Sequence, residues 1–363
     1  MLSARIHKYQ VPLAIDNTLK PKVHGEEVLV KVGAAGLCHS DLHLINGEWK
    51  DVLPIKLPKS PGHEIAGWIE EIGESVPETA QMREGDLVAV FGGWGCGICI
   101  YCKRGDEQLC DFPRWPGLSD YEGGYSEFIM VPTYRFLIKI EKQLATTTTN
   151  NSYNLRPEEV APLTDAGLTP YRAIKKIRHL LGPGKSIAIF GIGGLGSYAI
   201  QYAKILGQSS TIIALDRREE KLQFAEKLGA DHVVNISQSQ NIRGEITSKV
   251  SGGKGTGIDV VIDCVGADST IEDSCRILNK GGSLVVVGLF GNQIKLPLVR
   301  AVLQEYQAYG SLWGNYSELR EVIELAKTGK IKHTIQKFSL NEINDAIQLL
   351  KSGKIVGRGV VIP

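Results

Sequence analysis

Ser186-Ile187-Ala188-Ile189-Phe190 is an apolar run of strand length, and it passes without a spacer into Gly191-Ile192-Gly193-Gly194-Leu195-Gly196 and a stretch of helical spacing, LGSYAIQYAKIL. A strand that turns into a helix over G-x-G-x-x-G leaves few folds open. Gly191 permits the tight turn, Gly193 lets backbone approach a pyrophosphate, and Gly196 allows close packing of helix on strand. The texture then repeats: TIIALD precedes REEKLQFAEKLGA, DVVIDCVG precedes STIEDSCRILN, and SLVVVGLF precedes a further helical run and AYGSLW. Alternation of this length predicts a parallel sheet covered on both faces. Glycine, at 41 of 363 residues, is about 11% of the chain, against a typical ~7%.

Asp216 stands twenty residues after Gly196, at the end of the next apolar run. A carboxylate there accepts hydrogen bonds from a ribose 2′-OH and repels a 2′-phosphate, so NAD is expected over NADP. Arg217 and Arg218 follow it, placed to stack on adenine or to meet phosphate charge. The N–H groups opening the helix, around Gly193, Gly194 and Leu195, are expected to bind the diphosphate.

Before about residue 140 the pattern is different. VLVKVGAAG at 28–36, EIAGWIEEIG at 64–73, LVAVFGG at 87–93 and YSEFIMVP at 125–132 are short runs broken by Gly and Pro, which predicts a β-rich unit with long loops. The stretch 141–159, with four consecutive threonines, reads as a solvated surface insertion. Residues 317–363 carry amphipathic helical patterns and a closing IVGRGVVIP, too short for a core of their own and expected to pack on the first unit.

Four of the seven cysteines, Cys96, Cys99, Cys102 and Cys110, fall within fifteen residues as C-x2-C-x2-C-x7-C. Thiolates that close in sequence enclose one tetrahedral zinc ion and leave no open position, the arrangement of a structural site. No apolar run approaches the ~18 residues of a membrane span, and the N-terminus lacks an apolar leader core. A cytoplasmic protein is therefore expected, where clustered thiols bind metal rather than form cystines. Forty-one Lys plus Arg against 40 Asp plus Glu leaves a net charge of +1, so no global field gathers nucleic acid or an anionic membrane.

A second, dispersed set comprises Cys38, in GLCHSDLH at 36–43, and GHE-x2-G-x5-G at Gly62, His63, Glu64, Gly67 and Gly73. On these motifs the chain resembles the zinc-containing, medium-chain alcohol dehydrogenase family, and the likeness runs along nearly its whole length. LCDFPRWPG at 109–117 and APLTDAGLTPYRA at 161–173 are most similar to tetrameric archaeal and bacterial NAD-dependent secondary-alcohol dehydrogenases and aryl-aldehyde reductases.

The resemblance implies an α/β chain with a β-rich GroES-like catalytic domain over 1–164, a doubly wound Rossmann coenzyme domain over 165–314, and 315–363 returning to the first. It also implies two zinc ions per subunit, NAD, a small alcohol, aldehyde or ketone as substrate, and a homotetramer. Cys38 and His63 are the implied ligands of a catalytic zinc, with Asp165 standing where many relatives carry a third cysteine. Cys−, Asp− and neutral His still balance Zn2+, now through a harder oxygen donor. Glu64 stands either as an alternative ligand or behind the metal. Ser40 and His43 are the implied proton relay to solvent, while Asp41 either orients a zinc ligand or caps a helix. His39 and Arg358 match positions that reach the cofactor diphosphate; Thr169, Val265, Val287 and Leu289 match positions near the nicotinamide. Trp94 and Trp115 are expected in an apolar substrate pocket. A sugar or polyol dehydrogenase is the alternative within enzymes, and a zinc-stabilised NAD-binding redox sensor the alternative outside them.

Overall fold

The βα alternation after residue 186 forms a sheet of six parallel strands. Their spatial order is His232–Asn235, Thr211–Asp216, Ser186–Phe190, Ile258–Asp263, Leu278–Val286, Gln307–Gly310. This is the 3-2-1-4-5-6 winding of dinucleotide-binding folds, and its order reverses between Ser186–Phe190 and Ile258–Asp263. Ser186–Phe190 is buried along its whole length, as a central parallel strand covered on two faces must be. Ile187, Ile189 and Phe190 are fully buried, each contributing roughly 1.5–3 kcal/mol relative to exposure. The strand His232–Asn235 and the helix Ile242–Ser251 have no counterpart in the sequence pattern. HVVN offers two apolar residues and no alternation.

The computed structural model describes residues 1–141, 154–251 and 257–363. In it the chain forms two units, Met1–Leu168 with Gly314–Pro363, and Thr169–Trp313. The boundary therefore falls after Leu168 rather than after residue 164. Asp165 thus belongs to the unit that carries Cys38 and His63, not to the coenzyme unit, because its turn is bonded to a strand of the first sheet.

That sheet has the order Ile335–Ser339, Arg358–Ile362, Val28–Gly36, Glu64–Ile72, Leu87–Val90, Leu137–Lys139, with Phe128–Val131 also paired to Val28–Gly36. Register decides where the chemistry falls. Gly36 pairs with Glu64 on one side and with Val360 on the other, so Cys38, His63, Glu64 and Arg358 all stand at one end of three adjacent strands. Residues 142–153 of the Thr-rich stretch lie outside the described residues. Its last part is not a solvated surface: Leu155, Glu159 and Val160 are buried, in and beside the short helix Pro157–Val160.

Candidate active site

Cys38 leaves the strand Val28–Gly36 in extended backbone and caps the helix His39–Asn46. His63 immediately precedes the strand Glu64–Ile72. Asp165 arrives on a turn that this same strand holds at two points, since Ile65 N–H donates to Thr164 Oγ1 at 3.3 Å and Ala166 N–H donates to Glu64 Oε1 at 3.0 Å. The result is a convergence of three distant segments. Asp165 Oδ2 lies 3.7 Å from Cys38 Sγ and 3.3 Å from His63 Nε2. Ligand atoms of Cys38, His63, Glu64 and Asp165 all lie within 4.8 Å of one another. Soft sulfur, imidazole and carboxylate at such separations suit zinc.

Electrostatics point the same way. Burial opposes a charge on His63, but Asp41 and Asp165 outweigh it and raise its pKa well above the ordinary histidine value. The pocket attracts positive charge. Asp41 itself is fully buried, and Cys38 N–H donates to its Oδ2 at 2.9 Å, while His63 Nδ1 faces its Oδ1 at 3.4 Å. Burial would raise its carboxyl, and His63, Tyr125 and the Cys38 amide together hold it below the usual range. Asp41 thus fills both of its expected places at once, capping the helix and facing the ring nitrogen that a metal would not use.

Glu64 sits behind these groups. Its oxygens accept from Arg358 Nε at 2.9 Å, from Arg358 Nη2 and from Ala166 N–H. Gly36 makes room for it, because a Cβ there would fall 1.7 Å from Glu64 Oε2. Arg358 is 4% exposed. Burial works against its charge, and Glu64, Cys38 and Asp165 outweigh burial and keep it protonated. Its guanidinium, expected at a diphosphate, is engaged here inside the first unit.

The four clustered cysteines are free thiols whose sulfurs all lie within 4.8 Å of one another, Cys99 and Cys110 at 3.9 Å. Tetrahedral zinc with Zn–S near 2.3 Å places sulfurs about 3.8 Å apart, so the set fits. Backbone N–H groups support the thiolate form: Cys99 donates to Cys96 Sγ at 3.3 Å, and Cys96 and Phe112 donate to Cys110 Sγ at 3.2 and 3.3 Å. The Cys102 and Asp111 amides bring the Cys99 thiol down to about 6, whereas burial pushes Cys102 up to about 12 and raises Cys110 as well.

In the second unit, Gly191 has φ +82° and a Cβ there would meet Val265 at 2.4 Å, while a Cβ on Gly196 would lie 2.0 Å from Gly191 O. Gly193 caps the helix Gly194–Leu206, and a Cβ on it would meet nothing within 4 Å. Packing therefore does not require glycine at 193, although its backbone, at φ −101° and ψ −147°, lies off the regions that other residues favour. Asp216 accepts from Ile192 N–H at 2.7 Å and from Arg217 N–H at 2.7 Å, which binds the acidic residue to the glycine turn itself.

Comparison with known proteins agrees with this geometry. Residues 24–142 match the family model described as alcohol dehydrogenase GroES-like domain, and residues 194–328 match that of zinc-binding dehydrogenase. An NAD-dependent alcohol dehydrogenase of Sulfurisphaera tokodaii is 41% identical over all of both chains. The chain belongs to the zinc-binding, medium-chain alcohol dehydrogenase family. The crystal structure of the alcohol dehydrogenase from Aeropyrum pernix superposes with a TM-score of 0.89 at 38% identity, covering all of both chains. A D-arabinose 1-dehydrogenase (NADP(+)) of Saccharolobus solfataricus is 33% identical over 99% of this chain and 97% of its own. The chain is thus an oxidoreductase of the alcohol dehydrogenase type, using zinc and NAD.

Within this alcohol dehydrogenase chain the remaining expected residues are distributed unevenly. Ser40 lies on the first helical turn, its Oγ 3.6 Å from Cys38 Sγ. His43, one turn on, is half-buried; its Nδ1 is bonded to Glu48 and its ring stacks on Trp49 at 4.8 Å. His39 is exposed. Thr169 and Val287 are buried, Val265 is half-buried, Leu289 is exposed, and Arg217 is exposed beside Asp216. Trp94 corrects the pocket expectation: it is 0% exposed, stacked on Phe136 at 5.7 Å and edge-on to Tyr121 at 5.5 Å, so it is core. Trp115 is half-buried.

Three residues escaped sequence reasoning. Glu48 holds His43. Tyr125 donates to Asp41 Oδ2 at 2.7 Å. Asp263, fully buried, accepts from Val265 and Gly266 N–H at 2.8 and 2.9 Å and from Thr270 Oγ1 at 2.7 Å, shaping the turn after the strand beside Ser186–Phe190. Only Asp263 carried a signal, an acidic residue closing an apolar strand before a glycine.

Proposed function

We propose that this enzyme interconverts primary or secondary alcohols with aldehydes or ketones, using Cys38, His63 and Asp165 as ligands of a catalytic zinc and the four cysteines as ligands of a second, structural one. The observation that carries the reading is the meeting of a thiol, an imidazole and a carboxylate from three separate segments in one buried, electronegative pocket. Zinc held by Cys38, His63 and Asp165 would supply a Lewis acid that lowers the pKa of a substrate alcohol, and NAD held at the glycine turn would supply the hydride acceptor.

The chain's own residues then handle the proton. Ser40 Oγ, beside Cys38, takes up the alcohol proton as its own O–H proton moves on toward His43. His43 lies three residues further along the same helix, on the neighbouring position of its surface. With Nδ1 held by Glu48, His43 has Nε2 free to pass the proton outward, a task suited to imidazole near neutral pH. Asp41 and Arg358 do no proton chemistry: the first orients His63, the second neutralises Glu64. Gly191, Gly193, Gly194, Leu195, Gly196 and Asp216 hold the dinucleotide, with Asp216 favouring NAD. Ser40, His43 and the buried ligand set speak against a sensor without catalysis, since binding alone needs no relay. Seven free cysteines support a reducing, cytoplasmic setting.

The test measures zinc per subunit and initial rates on alcohols, aldehydes, ketones and sugars with both nicotinamide cofactors, before and after chelation. Two zinc ions, NAD-linked activity lost on chelation, and one zinc fewer in Asp165→Ala are expected. Full zinc affinity in Asp165→Ala would remove Asp165 from the ligand set; preferred turnover of sugars with NADP would shift the reading to a sugar dehydrogenase.

A further inference from the structure

The Tyr125 side chain is fully buried, and its ring and hydroxyl meet Gly62, Gly36 and Asp41, each beside a residue of the ligand set. Its ring packs against Gly62, so closely that a Cβ there would fall 2.7 Å from it. Gly62 has φ +94°, a left-handed conformation that glycine adopts without strain. The phenol oxygen is 2.7 Å from Asp41 Oδ2 and 3.1 Å from the Gly36 carbonyl. A single O–H proton goes to the shorter, ionised acceptor, since charge-assisted bonds are the stronger ones. The same Oδ2 accepts Cys38 N–H, and the other oxygen accepts Gly62 N–H at 3.3 Å and faces His63 Nδ1.

We infer that Tyr125 is a positioning residue of the catalytic metal site, fixing the Asp41 carboxylate so that Cys38 and His63 present their ligand atoms in the geometry Asp165 completes. The ring sets the Gly62–His63 backbone, and the hydroxyl sets the carboxylate behind His63. Without the hydroxyl, Asp41 loses one of its two donors at Oδ2, and a buried carboxylate short of donors is destabilised. Outer hydrogen-bond partners of metal ligands are worth about 10–100-fold in metal affinity.

This inference rests on the ligand assignment of the proposed function, and the four-cysteine site serves as its internal reference. Tyr125→Phe keeps the ring on Gly62 and removes only the hydroxyl. Chelator competition on the zinc-loaded protein, and absorption of the cobalt-substituted protein, read the two sites separately. We expect Tyr125→Phe to weaken metal binding at Cys38, His63 and Asp165 by about 10–100-fold and to shift the cobalt d–d bands, with the four-cysteine site unchanged. Asp41→Asn tests the same link from its other end and should show the same selective loss, while the double variant should lose no more than Asp41→Asn alone. Parent-like affinity and spectrum in Tyr125→Phe, equal loss at both sites, or additive losses in the double variant would overturn the role of Tyr125 and leave the ligand assignment standing. A parent protein that binds metal only at the cysteines would overturn both.

Discussion

His43, the proposed relay residue, is held by a neighbour that no motif marks. Glu48 bonds to Nδ1 and Trp49 stacks on the ring, so removing the imidazole and removing its holder should differ in kind. His43→Gln is expected to lower kcat by at least about tenfold near neutral pH, since positioned acid–base groups contribute 10²–10⁴-fold. Glu48→Gln should lower it less and shift the pH profile; stopped-flow rates against pH check both, and an unchanged profile in His43→Gln would end the relay assignment. Lys59 makes a different residue-scale prediction, one of stability. It is 2% exposed, and its Nζ has no hydrogen-bond partner among the described residues. Burial brings its amine down to about 8, against the attraction of Glu122 and Asp120. Below pH 8 folded and unfolded chains both carry the proton, and the folded chain bears the full cost of the buried charge. Between about 8 and the ordinary 10.5 the unfolded chain binds more protons, so this destabilisation fades as pH rises. Lys59→Met should therefore stabilise by about 2–3 kcal/mol at pH 7 and by much less at pH 10, as read by denaturant unfolding at both.

At the scale of elements, the glycine turn separates packing from binding. A Cβ at Gly196 strikes the Gly191 carbonyl, whereas one at Gly193 meets nothing. Gly196→Ala should lower both thermal stability and NAD affinity, because the helix Gly194–Leu206 must move off its strand. Gly193→Ala should cost only about 1 kcal/mol of stability, the usual loss at a helix cap, yet weaken NAD at least about tenfold by calorimetry. Parent-like NAD binding in Gly193→Ala would take the diphosphate away from this turn. The glycine turn was readable because its residues are contiguous and each has one local task. The catalytic set was readable in pieces only: Cys38 and His63 through their motifs, Asp165 through resemblance alone. What joins them is strand register, Gly36 against Glu64 and Val360, and register leaves no mark on a single strand's sequence. Tyr125 is the extreme case, a tyrosine in GGYSEF whose role exists only once Gly62 and Asp41 are brought to it. His232–Asn235 went unread for a simpler reason, being four residues with a polar one at each end.

On the scale of the whole molecule, the change of texture pointed to two units, and the bounds that the resemblance implied put their junction after residue 164, where the chain divides after Leu168, since a turn pinned by hydrogen bonds to a distant strand looks like linker in sequence. The same scale poses the question of assembly. Gln307–Gly310 is the last strand of its sheet, paired on one side only among the described residues. Next to it in sequence the helix Leu298–Leu303 exposes Leu298, Val299, Val302 and Leu303, each by 66% or more, and Phe290 is 70% exposed. An open parallel edge is a template for further pairing, and large apolar side chains exposed together on one short helix are what an interaction site presents. A second copy would answer both needs: a two-fold axis beside Gln307–Gly310 would continue the sheet from one subunit into the next and let the exposed helices of the two copies cover each other. Each side chain so covered contributes roughly 1.5–3 kcal/mol, and two charges introduced there forfeit that gain and face their own symmetry mates. Val299→Glu with Leu303→Glu is therefore expected to convert the parent assembly, a dimer or the tetramer that the resemblance implies, at micromolar concentration, into a species of half its mass or less in sedimentation velocity, with both zinc ions retained. A parent protein that sediments as a monomer, or a double variant that keeps the parent's mass, would show that this edge is not where subunits meet.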